Sequence, residues 1–192
     1  MRTSRIKRKT LETDIDLWLC LDGGERDYNT GIGFFDHMLN SFAVHGGFGL
    51  TVKCSGDLRV DCHHTVEDTG IVLGKAFAEA VSQKQGFSRF GSFFVPMDEA
   101  LAFAAVDISG RPYLSFSACL KGESAGGFDP SLTEEFMRAF AVNAGITLHI
   151  KEEGGKNAHH QIEAIFKAVA HALKAACKIE GNLPLSTKGT LI

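Results

Sequence analysis

The strongest constraint on this chain is that it repeats itself. Phe42-Ala-Val-His-Gly-Gly-Phe-Gly-Leu-Thr-Val52 aligns with Phe140-Ala-Val-Asn-Ala-Gly-Ile-Thr-Leu-His-Ile150, an offset of 98 residues. Beyond each segment comes one spacing, His63-His64-x-x-Glu67 in the first half and His159-His160-x-x-Glu163 in the second. Gly74-Lys-Ala-Phe-Ala-Glu-Ala-Val81 and Phe166-Lys-Ala-Val-Ala-His-Ala-Leu173 follow, displaced by about one helical turn. A long-period repeat sets the architecture before any local reading, because each unit buries its apolar face against its neighbour. The chain therefore reads as one domain made of two pseudo-symmetric halves, about 1–90 and 91–192.

Apolar periodicity assigns similar elements to both halves. Leu11 to Leu21 alternates and predicts a strand; Gly31 to Val44 carries Phe34, Phe35, Met38, Leu39 and Phe42 at helical spacing. Leu50–Cys54 and Leu58–Cys62 read as short strands around the Ser55-Gly56-Asp57 turn, followed by a helix over Thr65–Gln83. In the second half, strands flank Ser109-Gly-Arg-Pro112, a helix covers Leu132–Asn143, a strand Ile146–Lys151, and a long helix His159–Lys178. Gly122–Pro130 reads as a mobile loop and the segment from Gly181 as non-helical. The fold class is α+β, internally duplicated, each half a small β-sheet with two helices. Neither half alone is large enough to bury much surface.

Composition removes several functions. At 44% hydrophobic and 22% charged the balance is that of an ordinary soluble globular protein, and no apolar run approaches the roughly 20 residues of a membrane span. The basic stretch Met1–Lys9 leads into no apolar region, so no secretory signal is expected. Its nine residues carry no interleaved aromatics, and a net charge of −3 disfavours a nucleic-acid binder. Five cysteines without a C-x-x-C pair read as reduced thiols in a cytoplasmic protein.

The chemistry lies in the histidines. On a helix, the first His and the Glu of His-His-x-x-Glu share a face, while the adjacent His points about 100° away. One His and the Glu thus suit one metal, and the other His reaches a second. The repeat also places His37 opposite Glu135, both competent ligands. The candidate set is His37, His63, His64, Glu67, Glu135, His159, His160 and Glu163. Imidazole with carboxylate and no thiolate suits Mn, Fe or Zn. A lone His-His pair is usually a surface accident; two copies with the same spacing are not. His149 lacks a counterpart and reads as a hydrogen-bonded or core residue, His171 as solvated or interfacial. Lys167 extends the His159–Glu163 row, where the plainer role is an ion pair with Glu163. Arg89 and Arg111 at turns, with Ser186-Thr-Lys188-Gly, form a candidate phosphate site, although each alone is more often a solvated charge.

Gly31-Ile-Gly-Phe-Phe-Asp-His-Met-Leu39, His63-His-Thr-Val-Glu-Asp-Thr-Gly70, Met97-Asp-Glu-Ala-Leu101, Ser109-Gly-Arg-Pro112, Gly155-Lys-Asn-Ala-His-His160 and Ser186-Thr-Lys-Gly189 together resemble the imidazoleglycerol-phosphate dehydratase family, in the family's order along nearly the whole chain. The resemblance implies a hydro-lyase of histidine biosynthesis with two Mn2+ per active site. It further implies sites built between subunits of a large symmetric homo-oligomer of 24 copies. The eight ligands fall at matching positions, with Glu135 where many relatives carry His. By the same match Arg89, Arg111, Lys167, Ser186 and Lys188 would hold the substrate phosphate. Glu12 would stand by the reacting carbons as acid/base; by itself it looks like one polar residue on a strand. A dinuclear metal hydrolase is the alternative for such ligands, and a metal store or sensor a further one that would leave the phosphate set unexplained.

Overall fold

In the computed structural model the described residues are 1–83, 86–120, 124–183 and 185–186. The first half runs β1 (Thr3–Lys9), β2 (Thr13–Cys20), β3 (Arg26–Asn29), α1 (Gly33–Gly46), β4 (Gly49–Gly56) and α2 (His63–Ser82). The second repeats that order as β5 (Phe90–Met97), β6 (Ala100–Asp107), β7 (Tyr113–Ser117), α3 (Leu132–Ala144), β8 (Thr147–Gly154) and α4 (Ala158–Ala176). The two four-stranded sheets have equivalent orders, β1-β2-β4-β3 and β5-β6-β8-β7. In each, the third strand lies parallel to the fourth and the other pairings are antiparallel. A parallel pair needs a crossover, and α1 and α3 supply it.

The repeat extends to the stops. α1 ends at Gly47 and α3 at Gly145, both left-handed, at φ 71° and 65°. The residues after them, Phe48 and Ile146, return amide hydrogen bonds to the Ala43 and Ala141 carbonyls. A Cβ would penalise that conformation; the two glycines turn the chain directly into β4 and β8.

Helices form the interior and sheets the outside. α2 lies on its own sheet, against β1 and β2, and α4 lies on β5 and β6. Across the middle the halves pair crosswise, α2 with α3 and α1 with α4. The α2–α3 seam is tight because Gly70 and Gly74 face backbone: an added Cβ would sit 2.8 Å from the Phe136 carbonyl oxygen and 2.6 Å from that of Phe140. α4 approaches β5 just as closely, over Gly91 and the alanine-faced strand β6 (Ala100, Ala102, Ala104). Phenylalanines from both halves interlock at the centre, Phe42 with Phe140, Phe35 with Phe136 and Phe136 with Phe166. Truncating such a ring to alanine typically costs about 3–5 kcal/mol.

Two expectations are corrected. Leu58–Cys62 is a turn leading into α2, not a strand: Leu58 and Val60 are exposed, and no neighbouring strand is there to pair with it. The Gly122–Pro130 loop is pinned where it is described, because Phe128 is wholly buried against Phe34 and Phe35. Its residues 122–123 lie outside the described set. Among the described residues no helix is long and apolar enough to cross a membrane.

The outer faces differ. The first sheet presents charge, with Arg5 and Lys7 paired to Asp16 and Lys9 to Asp14. The second presents rings: Phe94 lies tilted against Phe103 at 4.5 Å, and Phe90 and Tyr113 are also exposed.

Candidate metal centre

The crosswise pairing assembles a ligand set. His37 on α1 meets His159 and Glu163 on α4, and one ligand atom from each lies within 4.8 Å of the others. Glu163 Oε2 stands 3.5 Å from His37 Nε2 and 3.2 Å from His159 Nε2. The other oxygen, Oε1, accepts from Lys167 Nζ at 2.8 Å and Ser41 Oγ at 3.2 Å. Burial raises the Glu163 pKa, but the Lys167 hydrogen bond and charge, with His37 and Ser41, outweigh it and hold the group down at about 2. It is therefore a carboxylate at neutral pH. The His159 ring is set by an edge contact with Phe34, and its helix by Asn157, whose side chain caps the His159 amide. Two imidazole nitrogens and a carboxylate oxygen converging on one point fit a divalent cation of the Mn, Fe or Zn type. All five cysteines are free thiols, and none belongs to this set.

The equivalent residues of the first half are less gathered. His63 Nε2 is 3.5 Å from Glu67 Oε2 on the same face of α2, both nearly half exposed. Glu135 stands in the first turn of α3, the helix that packs on α2. Among the described residues these three do not form a close ligand group.

The second histidine of each pair turns away from its neighbour, the rings lying at 90° for His63–His64 and 80° for His159–His160. Each is then oriented through Nδ1 by a carboxylate. His64 Nδ1 lies 3.0 Å from Asp57, and His160 Nδ1 lies 2.8 Å from Glu99. These bonds raise both histidine pKa values, while the His160 contact and the Asn157 and Lys156 amides lower Glu99 to about 2. An imidazole held by a carboxylate at one nitrogen presents the other as a fixed, more basic ligand. Near those outward Nε2 atoms stand Glu12 at 3.7 Å from His64 and Asp98 at 3.8 Å from His160. Asp57, Asp98 and Glu99 went unnoticed in the sequence. Glu99 and Asp98 sit in the Met97–Leu101 motif, but Asp57 carries no signal beyond its turn.

Glu12 is not on a strand. It sits in the β1–β2 turn, where Thr10 Oγ1 accepts from the Glu12 and Thr13 amides. That turn is anchored by Thr13 donating to the buried Asp68 at 2.5 Å, with Arg8 paired to the same carboxylate.

The proposed phosphate residues separate into two groups. Arg89 Nε and Nη2 bind the two oxygens of Asp107 at 2.6 and 3.1 Å, and Arg111 Nη2 lies 3.6 Å from the same carboxylate. Arg89 Nη1 also donates to the Leu185 carbonyl, bringing the segment with Ser186 to this place. Arg89 has φ 70°, a left-handed conformation costing a non-glycine residue about 1–2 kcal/mol. Lys167 instead belongs to the Glu163 cluster and touches Met97 Sδ. Lys188 lies outside the described residues. His149, expected in a core or hydrogen-bonded place, is exposed on the outer face of the second sheet beside Tyr113.

Residues 30–173 match the family model described as imidazoleglycerol-phosphate dehydratase. Imidazoleglycerol-phosphate dehydratases of Methanosarcina barkeri and Carboxydothermus hydrogenoformans are 57% and 53% identical over 192 residues, covering the whole of each chain. The crystal structure of the Staphylococcus aureus enzyme superposes with a TM-score of 0.86 at 43% identity, covering 93% of this chain and 99% of that one. The Pyrococcus furiosus enzyme, solved in complex with (S)-C348, gives 0.85 at 40% identity, covering 96% and 99%.

Proposed function

The chain belongs to the imidazoleglycerol-phosphate dehydratase family, and from that premise we propose how it removes water from imidazoleglycerol phosphate in histidine biosynthesis. Two Mn2+ ions serve each active site, and the eight ligands are His37, His63, His64, Glu67, Glu135, His159, His160 and Glu163. The observation that carries this reading is the doubled arrangement of His-His-x-x-Glu, with one histidine facing the Glu of its own helix and the other pinned outward by Asp57 or Glu99. When bound, the ions would supply Lewis-acid positive charge beside the substrate ring, which would favour departure of the neighbouring hydroxyl.

The chain's own groups do the rest. Lys167 and Ser41 keep Glu163 ionised and aimed at His37 and His159. Glu12, exposed beside His64 Nε2, carries the proton at the substrate carbon. Arg89 and Arg111, with Ser186 and Lys188, hold the phosphate, so that binding energy far from the reacting carbons orients them; Lys167, apart from them beside Glu163 in one chain, would join them from a second copy. His64 and His160 face outward, their Nε2 atoms 3.7 and 3.8 Å from Glu12 and Asp98, which suits a site completed by a second copy. The ring-lined outer face of the second sheet supports self-association, since apolar patches of this kind mark interaction surfaces. We infer a symmetric homo-oligomer of 24 subunits, acting in the cytoplasm.

The test is dehydration of imidazoleglycerol phosphate by chelated enzyme before and after addition of Mn2+. Activity lost with the metal and restored by it is the expected result. Folded, manganese-loaded protein that leaves this substrate intact but hydrolyses phosphoesters would replace the reading with a dinuclear hydrolase.

A further inference from the structure

Asp107 has no part in the scheme above, yet it is the carboxylate on which two of the phosphate residues converge. It closes β6, one residue before the turn that carries Arg111, and it pairs with Phe90, the residue after Arg89, across the β5–β6 ladder. Arg89 is gripped side-on through Nε and Nη2, with both side chains more than four-fifths buried. Its guanidinium also lies over the Phe90 ring, and its amide and carbonyl are tied to the Ala176 carbonyl and the Ile108 amide. Arg111, by contrast, is two-thirds exposed and meets Asp107 only at 3.6 Å. One arginine is thus fixed and the other is kept near it.

We propose that Asp107 is the positioning residue of a two-arginine anion site, holding Arg89 and Arg111 at the separation that a phosphate dianion bridges. Two guanidinium groups brought together without a carboxylate between them repel and splay. With Asp107 in place, Arg89 keeps its Nη1 away from the carboxylate, toward the Leu185 carbonyl and the segment that carries Ser186, Arg111 keeps most of its donor fork in solvent, and planar forks of this kind suit phosphate oxygens. Asp107 carries negative charge into an anion site, so its effect on phosphate has two possible signs. Positioning makes the anion bind more tightly with Asp107 present; simple neutralisation of the arginines makes it bind less tightly.

The proposal rests on the phosphate reading of Arg89 and Arg111, and the experiment keeps the two apart. Binding of inorganic phosphate to manganese-loaded enzyme is measured by calorimetry for wild type, Arg89→Ala, Asp107→Ala and Asp107→Asn, beside KM and kcat. Asp107→Ala is expected to weaken phosphate binding about tenfold and raise KM similarly, with kcat little changed. Asp107→Asn retains one acceptor for Arg89 and should lose about threefold, which preserves the test if the alanine variant does not fold. Unchanged or tighter phosphate binding in a folded Asp107 variant, with Arg89→Ala still losing it, overturns the positioning role alone. Wild-type and Arg89→Ala enzymes that bind phosphate alike would instead remove the phosphate reading on which it stands.

Discussion

On α4, His159 and Glu163 close on His37 from the other half; on α2, His63 and Glu67 carry the same spacing and face only each other. The supporting residues account for the difference. Glu163 is gripped by Ser41 and Lys167, whereas the repeat puts Ala139 at the place of Ser41 and Ile71 at the place of Lys167. Glu67 has neither the hydroxyl nor the ammonium that would hold it. Its side chain is 42% exposed against 8% for Glu163. The repeat carries the candidate ligands in both halves but the groups that hold them in only one, so one set stands assembled in the chain and the other stands apart.

The largest expected effect comes from breaking the assembled set. Glu163→Ala should remove one of the two manganese equivalents and reduce turnover by more than the roughly 10²–10⁴-fold that one acid or base contributes; metal analysis with full occupancy would contradict it. Next, Glu12→Gln should lose about 10²–10⁴-fold in kcat with metal content unchanged. A variant with normal turnover would release Glu12 from its role. The set that stands apart should respond more gently. Glu135→Ala should weaken the second metal by about 10–100-fold, and Glu135→His should restore it to within a few-fold. Equal losses in both variants would mean that the position does not bind metal.

The smallest effect belongs to the α1–α4 seam. His45 Nδ1 lies 3.1 Å from His171 Nε2, and Phe93 stacks on His171. Burial first lowers both histidines below their ordinary range, helped by Lys167 and the facing His171 at His45 and by Lys174 at His171. A base with a depressed folded pKa gives stability that is present above its ordinary value, about 6.5, and lost as pH falls through the lowered one. The metal-free protein should therefore melt a few degrees lower at pH 5.5 than at pH 7.5. His171→Phe should flatten that slope, and an unchanged slope in scanning fluorimetry would count against the pair. The repeat puts Asn143 at the place of His45, so the α2–α3 seam has no such contact.

The repeat and the apolar spacing were enough to read the helices, most strands and the equivalence of the halves, because these depend on local periodicity. They could not reveal the crosswise helix pairing, whose α2–α3 seam depends on close approaches at Gly70 and Gly74 that only three dimensions display. Leu58–Cys62 misled because two apolar residues at alternating positions imitate a strand when no partner strand is there. The eight candidate ligands could be read as a pattern, but Asp57 and Glu99 could not, since their tie to His64 and His160 is made through loops. The β1–β2 turn likewise hid Glu12, whose position depends on the buried Thr13–Asp68 bond.

The crosswise pairing has a consequence for how such a chain can arise. A polypeptide of half this length would leave its two helices without their partners and hold only part of each ligand set. Two identical half-chains facing each other about a twofold axis would supply both. The present chain is equivalent to that dimer with its subunits joined, and the joining frees each side to change alone. A Lys167 beside one carboxylate and an Ile71 beside the other is an asymmetry no pair of identical subunits could have kept.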